Sequence, residues 1–547
     1  MVAVQGRRGG RAGDRRGPGI AGMNEAARAH ERGLDPARRK RDGVFYTPAP
    51  LVRRLVDDAL GRVLAAAPAG ATVRVVDPAC GAGAFLIAAA AALLARDEEM
   101  ARETGEARSA GERLALLQAA IFGVDVDPAA ALLARAAVAG LVGAVPEDMS
   151  ENIKVGNALL GAGAPAAAGQ PFVWAEEFPA ALAAGGFDAV LGNPPFVDAE
   201  AMTRHHAALR RHCAGCYEAA RGNWDLFCVF IELGLRLCAP GGYVALVVPN
   251  KLASADYAAA TRRLLTREAR LVALYDLSEA LPFAAGVYPL AFVARRGPGE
   301  ATPVALRRGT DECEEMSLGT GLSQGPWPIS GRGDAACVAH MRAVGRPLGE
   351  LAQVWGAATV GEAYAIAELI VEGEAGLRVV NSGTIDRCAE LWGKTPLRYL
   401  GRSFLRPVIA APERLPPRRL AQARTPKLIV AGMTRSIEAT IDARGEVLAG
   451  KSTTICWWPD DLRVLAAIVH SRVIDDYYQH VHGGDRLARG YLRIGPRQLR
   501  GLPVPAPEDW DREVAAEIVR LVDRWRAGDP SVAPALDALV DSLYGLA

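Results

Sequence analysis

The sequence predicts an α/β protein: a Rossmann-like, largely parallel sheet followed by a separate mixed α/β region. Three observations predict it. β-rich runs alternate with alanine- and leucine-rich helical runs from about residue 43 to 296. Two of those runs end in an acid just before a helix, as "TVRVVD" does before "PACGAGAF" and "AIFGVDVD" before "PAAALLARAAVAG". After Arg296 the alternation gives way to short β-like runs separated by turns. A chain of 547 residues also exceeds one ordinary core, so at least two domains are expected.

Each element follows from its residues. Thr72 to Asp77 is a short β-rich run, and "PACGAGAFLIAAAAALLAR" is a glycine turn that opens an apolar helix. Ala120 to Asp127 repeats the strand and its acid, and the following alanine-rich run repeats the helix. Further strands are expected at "NIKVGNALL", "FDAVLGNPPF", "GGYVALVVPN" and "ARLVALYDL", with a helix from about Asn223 to Cys238 between two of them. Such alternation makes a sheet covered on both faces, with ligands beyond the carboxyl ends of its strands. The acids, the glycines and Asn193 all fall there.

Residues 297–340 have a linker composition rich in Gly, Pro and charge. From about 345, short β-like runs such as "PKLIVAG", "STTICWW" and "LPVPAP" accompany a helical pattern from Leu462 to Tyr478 and a terminal amphipathic helix from about Glu508 to Tyr544. The expected organisation is a disordered Arg/Gly-rich tail at 1–42, an α/β domain at 43–300, a linker at 301–344 and a second domain at 345–547.

Composition narrows the function classes. No apolar run reaches the roughly 18 to 20 residues of a membrane span, so a cytoplasmic protein is expected. Nine scattered cysteines form no disulfide framework. Cys213 and Cys216 stand near His205, His206 and His212, but one CxxC without a second ligand pair does not specify zinc, and no metal is expected. The net charge of +1 is unevenly spread. Arg398, Arg402, Arg406, Arg414, Arg418, Arg419, Arg424, Lys427 and Arg435 form a basic concentration in the second region, the footprint of a phosphate-binding surface.

The chemistry begins at "DPACGAGAF". Gly81 and Gly83 let the backbone turn tightly and approach a ligand, Asp77 ends its strand with an acceptor, and Asp125 stands where an acid accepts both hydroxyls of a ribose. Together they argue for a nucleoside-containing cofactor. No GxxxxGK[ST] cradle follows, which disfavours ATP.

"FDAVLGNPPFVD" then poses a physical question, because Pro194 and Pro195 end the strand and present Asn193 at its edge. The lone pair of an exocyclic amine on an aromatic base is delocalised into the ring. Two acceptors for its N–H groups, the Asn193 side-chain carbonyl and the Pro194 backbone carbonyl, favour a more tetrahedral nitrogen aimed at an electrophile. The prolines fix those acceptors beforehand, and Phe196 offers a face on which the base stacks.

The order "FYTPAPLV", "DPACGAGAF", "GVDVD", "GNALL", "GNPPF", "GGYVALVVPN" and "LPFAAGVYPLAFVA" resembles the gamma-class adenine-N6 DNA methyltransferases of the TaqI and Eco57I kind over roughly residues 43–296. The resemblance implies a Rossmann-like methyltransferase sheet with S-adenosylmethionine as methyl donor. It implies that Thr47, Asp77, Cys80, Gly81 and Gly83 surround the methionine part of the cofactor, that Asp125 takes the ribose, and that Asn157 and Leu159 lie near the cofactor's adenine. Family members often have Asp in place of Asn157. Asn193, Pro194, Pro195 and Phe196 match the catalytic NPPF, and Phe283 aligns with the aromatic that packs on the flipped base.

The target base must leave the duplex to be reached. "AEAMTRHHAALRRHCAGCYEAARGNWD" after the motif is a candidate mobile loop for DNA contact. The second region resembles the family's target-recognition domain, where Arg402, Arg406, Arg418, Arg419, Lys451, Ser452 and Thr453 are the expected DNA contacts, and Trp457 with Trp458 is expected in the core. Double-stranded DNA is the expected partner, the enzyme is expected to be a monomer, and any restriction endonuclease is expected on a separate chain. An RNA or protein-glutamine methyltransferase and a non-catalytic DNA-binding scaffold stay open as alternatives at this point.

Overall fold

The computed structural model describes residues 35, 42–43, 47–68, 70–277, 289–298, 304–308, 316–318, 327, 335–483 and 491–546. Phe283 and nearly all of the Arg/Gly-rich tail lie outside them. The chain divides into two compact units, Met1–Ala285 with Pro289–Gly325, and Gly286–Tyr288 with Pro326–Ala547.

The first unit is built on strands β1 (Val75–Asp77), β2 (Ile121–Asp125), β3 (Ile153–Val155), β4 (Phe187–Gly192), β5 (Cys238–Pro249), β6 (Ala269–Asp276), β7 (Pro289–Arg296), β8 (Val304–Arg308) and β9 (Met316–Leu318). Their order in the sheet is β3-β2-β1-β4-β5-β7-β6-β8-β9. The strands from β3 to β5 pair in parallel, and β7 runs antiparallel to both β5 and β6. The chain therefore proceeds from β1 outward through β2 to β3 and then returns to place β4 on the other side of β1. That reversal is a topological switch point, the place beyond the strand ends where open α/β sheets bind ligands.

Alternation along the strands covers both faces. Ala189 and Leu191 of β4 and Ala245 and Val247 of β5 join one core with Leu51, Leu55, Leu60, Leu86 and Ala134 from the helices Ala49–Ala66, Ala84–Thr104 and Pro128–Gly140. Leu51, Leu55 and Leu60 are fully buried, each contributing roughly 2 kcal/mol. On the opposite face the helix Phe227–Leu237 comes so close that a methyl on Gly234 would stand 3.3 Å from Val244 and 3.6 Å from Val190.

The second unit holds two four-stranded sheets. One is antiparallel, in the order Gln353–Gly356, Thr453–Trp457, Lys427–Ala431, Ala439–Asp442. The other joins Ile370–Glu372, Pro407–Ile409, Leu377–Val380 and Val447–Ala449, its last pairing parallel.

Several elements depart from expectation for identifiable reasons. Asn223 to Asp225 precede their helix, which starts at Phe227, because the Asp225 carboxylate bonds to other segments. The pattern from Leu462 to Tyr478 is two helices, Leu462–His470 and Arg472–His482, broken where the Ser471 hydroxyl accepts from the Ile474 N–H and caps the second. The terminal pattern is likewise Arg512–Arg526 and Ala533–Leu543, broken at Gly528 (φ 101°), Asp529 and Pro530. The stretch read as linker contributes β8 and β9 to the first sheet and the helix Ala335–Val344. The candidate loop after the NPPF motif is largely helical, as Ala199–His205 and Ala207–Cys216, so its basic side chains project from helices.

Candidate active site

The carboxyl ends of β1, β2 and β4 converge on one cradle. Leaving β1, the chain turns through Gly81 (φ 51°) and Gly83 (φ 89°) into the helix Ala84–Thr104. A Cβ on Gly83 would lie 2.9 Å from that of Ala134, so this turn packs directly on the next helix. Two bonds lock the turn to β2: the Cys80 N–H donates to the Val124 carbonyl (3.0 Å) and the Gly81 N–H to Asp125 Oδ2 (2.8 Å). Asp125 Oδ1 accepts from the Asp127 N–H (2.8 Å), so both carboxylate oxygens are oriented by backbone.

Asp77 is 1% exposed and accepts from the Ala79 N–H (3.0 Å). Burial, with Asp125 adding to it, pushes its carboxyl up to about 8. No salt bridge to Asp77 occurs among the described residues, so the cradle holds a buried carboxyl that a cationic ligand would match. The Cys80 thiol is pushed well above its ordinary range by burial and by Asp125 and Asp77, which keeps it protonated and unreactive. Asn157 stands beyond β3, where the Gly156 N–H donates to the Asp125 carbonyl (2.9 Å). Its Oδ1 accepts from the N–H of buried Leu159 (3.2 Å). Asp77, Cys80, Gly81, Gly83, Asp125, Asn157 and Leu159 thus belong to one connected region.

The NPPF motif abuts that region. A Cβ on Gly192 would lie 2.6 Å from Asp77 Oδ1, so the residue before Asn193 touches the cradle's carboxyl. Asn193 Nδ2 donates to Thr47 Oγ1 (2.9 Å), which sets the orientation of the amide. The Phe196 N–H donates to the Gly43 carbonyl (3.0 Å), and a Cβ on Gly43 would come within 2.5 Å of the Phe196 nitrogen. Gly43 and Gly192 are site residues that sequence reasoning missed. Their only signal is their place beside "FYTP" and "NPPF".

The part of this site from Asp125 to Phe196 lies within a segment that matches a known family. Residues 119–283 match the family described as Eco57I restriction-modification methylase. The chain is 32% identical over 100 residues, 18% of its length, to the Type II methyltransferase M.TthHB8I of Thermus thermophilus, covering 23% of that relative. It is 28% identical over 144 residues, 26% of its length, to the Type II methyltransferase M.PaeR7I of Pseudomonas aeruginosa, covering 24% of it. The chain therefore aligns with about a quarter of each of these relatives. Among solved structures it is similar to the Type IIL restriction-modification enzyme MmeI in complex with DNA, at 14% identity and TM-score 0.55 over 96% of this chain and 79% of that one. That likeness is one of fold.

The expected DNA contacts of the second unit separate into two groups. Arg419 is buried, ion-paired to Glu362 and bonded to the Gly356 carbonyl and Gln422 Oε1, so it is structural. Lys427 is also buried, bound to Asp442 and to the Ala423 and Thr425 carbonyls. The Thr453 hydroxyl donates to the Gly450 carbonyl from a buried position. Arg402 donates to the Ala367 carbonyl, and Arg406 pairs with Glu374. Arg418 lies beside a smaller cavity under half-buried Trp457, while Trp458 is core and stacks on Trp510 (6.1 Å, 19°). Lys451 and Ser452 instead line an open cleft of about 820 Å³, together with Arg398, Arg435 and Tyr491. Ser452 adopts φ 69°, and its carbonyl accepts from the Gly432 N–H (2.9 Å), which fixes that edge of the cleft.

No helix of the described residues is long and apolar enough to cross a membrane.

Proposed function

We propose that the chain is a site-specific DNA methyltransferase that transfers a methyl group from S-adenosylmethionine to N6 of adenine in double-stranded DNA, as the modification component of a restriction-modification or related defence system. The observation that carries this reading is the placement of Asn193, its amide oriented by Thr47, one residue from the wall of a cradle that suits a cationic nucleoside. The match of residues 119–283 to a restriction-modification methylase family supports it.

Asp125 would accept the ribose hydroxyls, the buried Asp77 carboxyl, once ionised, would meet the cationic methionine end, and Asn157 and Leu159 would lie near the adenine. Bound there, S-adenosylmethionine supplies an electrophilic methyl group. The chain's own task is to prepare the amine. Asn193 Oδ1 and the Pro194 carbonyl accept its two N–H groups, Phe196 stacks on the base, and Pro194 and Pro195 hold the acceptors rigid, so little reorganisation accompanies reaction. Asn at the position of Asn193 favours adenine N6 over cytosine N4, where the resembling enzymes tend to carry Ser.

The second unit recognises the target sequence. The cleft bearing Arg398, Arg435, Lys451 and Ser452 is its DNA face, with Arg402, Arg406 and Arg418 as outlying phosphate contacts. The test is incubation with labelled S-adenosylmethionine and duplex DNA, RNA or protein. Label recovered as N6-methyladenine in duplex DNA alone is expected, and label in RNA or protein alone overturns the substrate assignment.

A further inference from the structure

Asn193 to Asp198 carries no regular secondary structure, so the geometry of the motif depends on the bonds that hold its two ends. Asn193 at its start is held by Thr47, and Phe196 at the end of the motif by the Gly43 carbonyl. On the carboxyl-terminal side two long-range bonds lead to Asp225 and its neighbour. The Leu226 N–H donates to the Val197 carbonyl (2.9 Å), and the Ala199 N–H donates to Asp225 Oδ1 (2.9 Å).

The other carboxylate oxygen, Oδ2, accepts from the Tyr257 hydroxyl (2.6 Å) and from Lys251 Nζ (3.3 Å). Lys251 and Tyr257 stand just beyond β5, the strand that pairs with β4. One carboxylate, 5% exposed, therefore ties the exit of the NPPF motif to the carboxyl edge of the neighbouring strand. Asp225 thus holds the N–H of Ala199, three residues after Phe196 and the first residue of its helix, while the next residue, Leu226, holds the Val197 carbonyl within the irregular stretch.

We propose that Asp225 is a positioning residue, which sets the backbone carrying the Pro194 carbonyl and the Phe196 ring without itself touching base or cofactor. The inference rests on the reading of Asn193 to Phe196 as the catalytic motif. Displacement of reacting groups by about 1 Å costs on the order of 100-fold in rate, so loosening this exit acts on the chemical step and leaves cofactor affinity alone.

The experiment compares the full chain with Asp225→Asn, which keeps an acceptor for Ala199 but loses the charge facing Lys251, and with Tyr257→Phe, which removes one bond. Three quantities are read: single-turnover methyl transfer to duplex DNA at saturating cofactor, the Kd for S-adenosylmethionine, and amide hydrogen exchange over residues 196–199. For Asp225→Asn the expected result is a single-turnover rate slower by on the order of 30-fold or more, a Kd within about twofold, and exchange about tenfold faster, with Tyr257→Phe intermediate in rate and exchange. A rate within about threefold of wild type, or a rate loss matched by an equal loss of cofactor affinity, overturns the proposal. If wild type labels no DNA, the catalytic reading fails by itself, and the exchange data still decide the positioning claim: unchanged protection in Asp225→Asn refutes it.

Discussion

Replacing Asp77 with Asn alters stability and cofactor binding in opposite, calculable directions. The carboxyl ordinarily titrates near 3.8 and is pushed up to about 8 in the folded, unliganded protein, chiefly by burial. Between those values the folded state binds more protons than the unfolded state, so the stability from this group is present below the unfolded value and lost as pH rises towards 8. At about 1.4 kcal/mol per unit, a rise of about four units corresponds to roughly 6 kcal/mol between the two ends of the window. Asp77→Asn removes that dependence. The unliganded variant is expected to hold its stability between pH 5 and pH 8 while wild type loses several kcal/mol by denaturant titration.

A cationic ligand works the other way, because it binds the ionised carboxylate. Each pH unit below about 8 reduces the ionised fraction about tenfold, so wild-type affinity for S-adenosylmethionine should rise steeply between pH 6 and 7.5. The variant should bind weakly with a flat profile. Equal pH slopes of stability in the two proteins, or an unchanged pH profile of binding in Asp77→Asn, would refute the argument.

Four further substitutions separate structural from functional roles. Lys427→Met strands the buried Asp442 carboxylate, which keeps only the Glu446 and Val447 N–H groups, and is expected to cost about 3 to 5 kcal/mol in denaturant unfolding, largely recovered by removing Asp442 as well. Gly43→Ala forces a methyl against the Phe196 backbone at a position with φ 67° and is expected to slow methyl transfer by about 100-fold while cofactor Kd holds, read by single-turnover kinetics. Lys451→Ala is expected to weaken DNA binding and lower the magnitude of its salt slope by about 1 with no loss of Tm, whereas Arg419→Ala is expected to lower Tm.

The strand and helix rhythm of the first unit is legible in the sequence because its signals are local: an apolar run, an acid, a glycine turn, then an alanine-rich face. The same holds for the NPPF turn, where two prolines leave the backbone few conformations. Long-range partnerships are not legible. Arg419 and Lys427 read as surface charge until Glu362, 57 residues away, and Asp442 are seen to hold them in the interior. Asp225 reads as one more acid in a polar stretch, because its partners Ala199 and Tyr257 lie 26 and 32 residues away. Helical periodicity also persists across breaks that turn chemistry imposes, as at Ser471 and at Gly528 to Pro530. The strands β8 and β9 escape notice because they sit in a stretch whose composition is that of a linker.

On this reading Asn193 prepares an adenine amine for methyl transfer. The most direct measurement is nucleoside analysis of duplex DNA after single turnover with labelled S-adenosylmethionine, for wild type beside Asn193→Ala. N6-methyladenine is expected from wild type and a rate at least about 100-fold lower from the variant, with cofactor binding intact in both. Undiminished methylation by Asn193→Ala, or duplex DNA bound by wild type without any label, would contradict it.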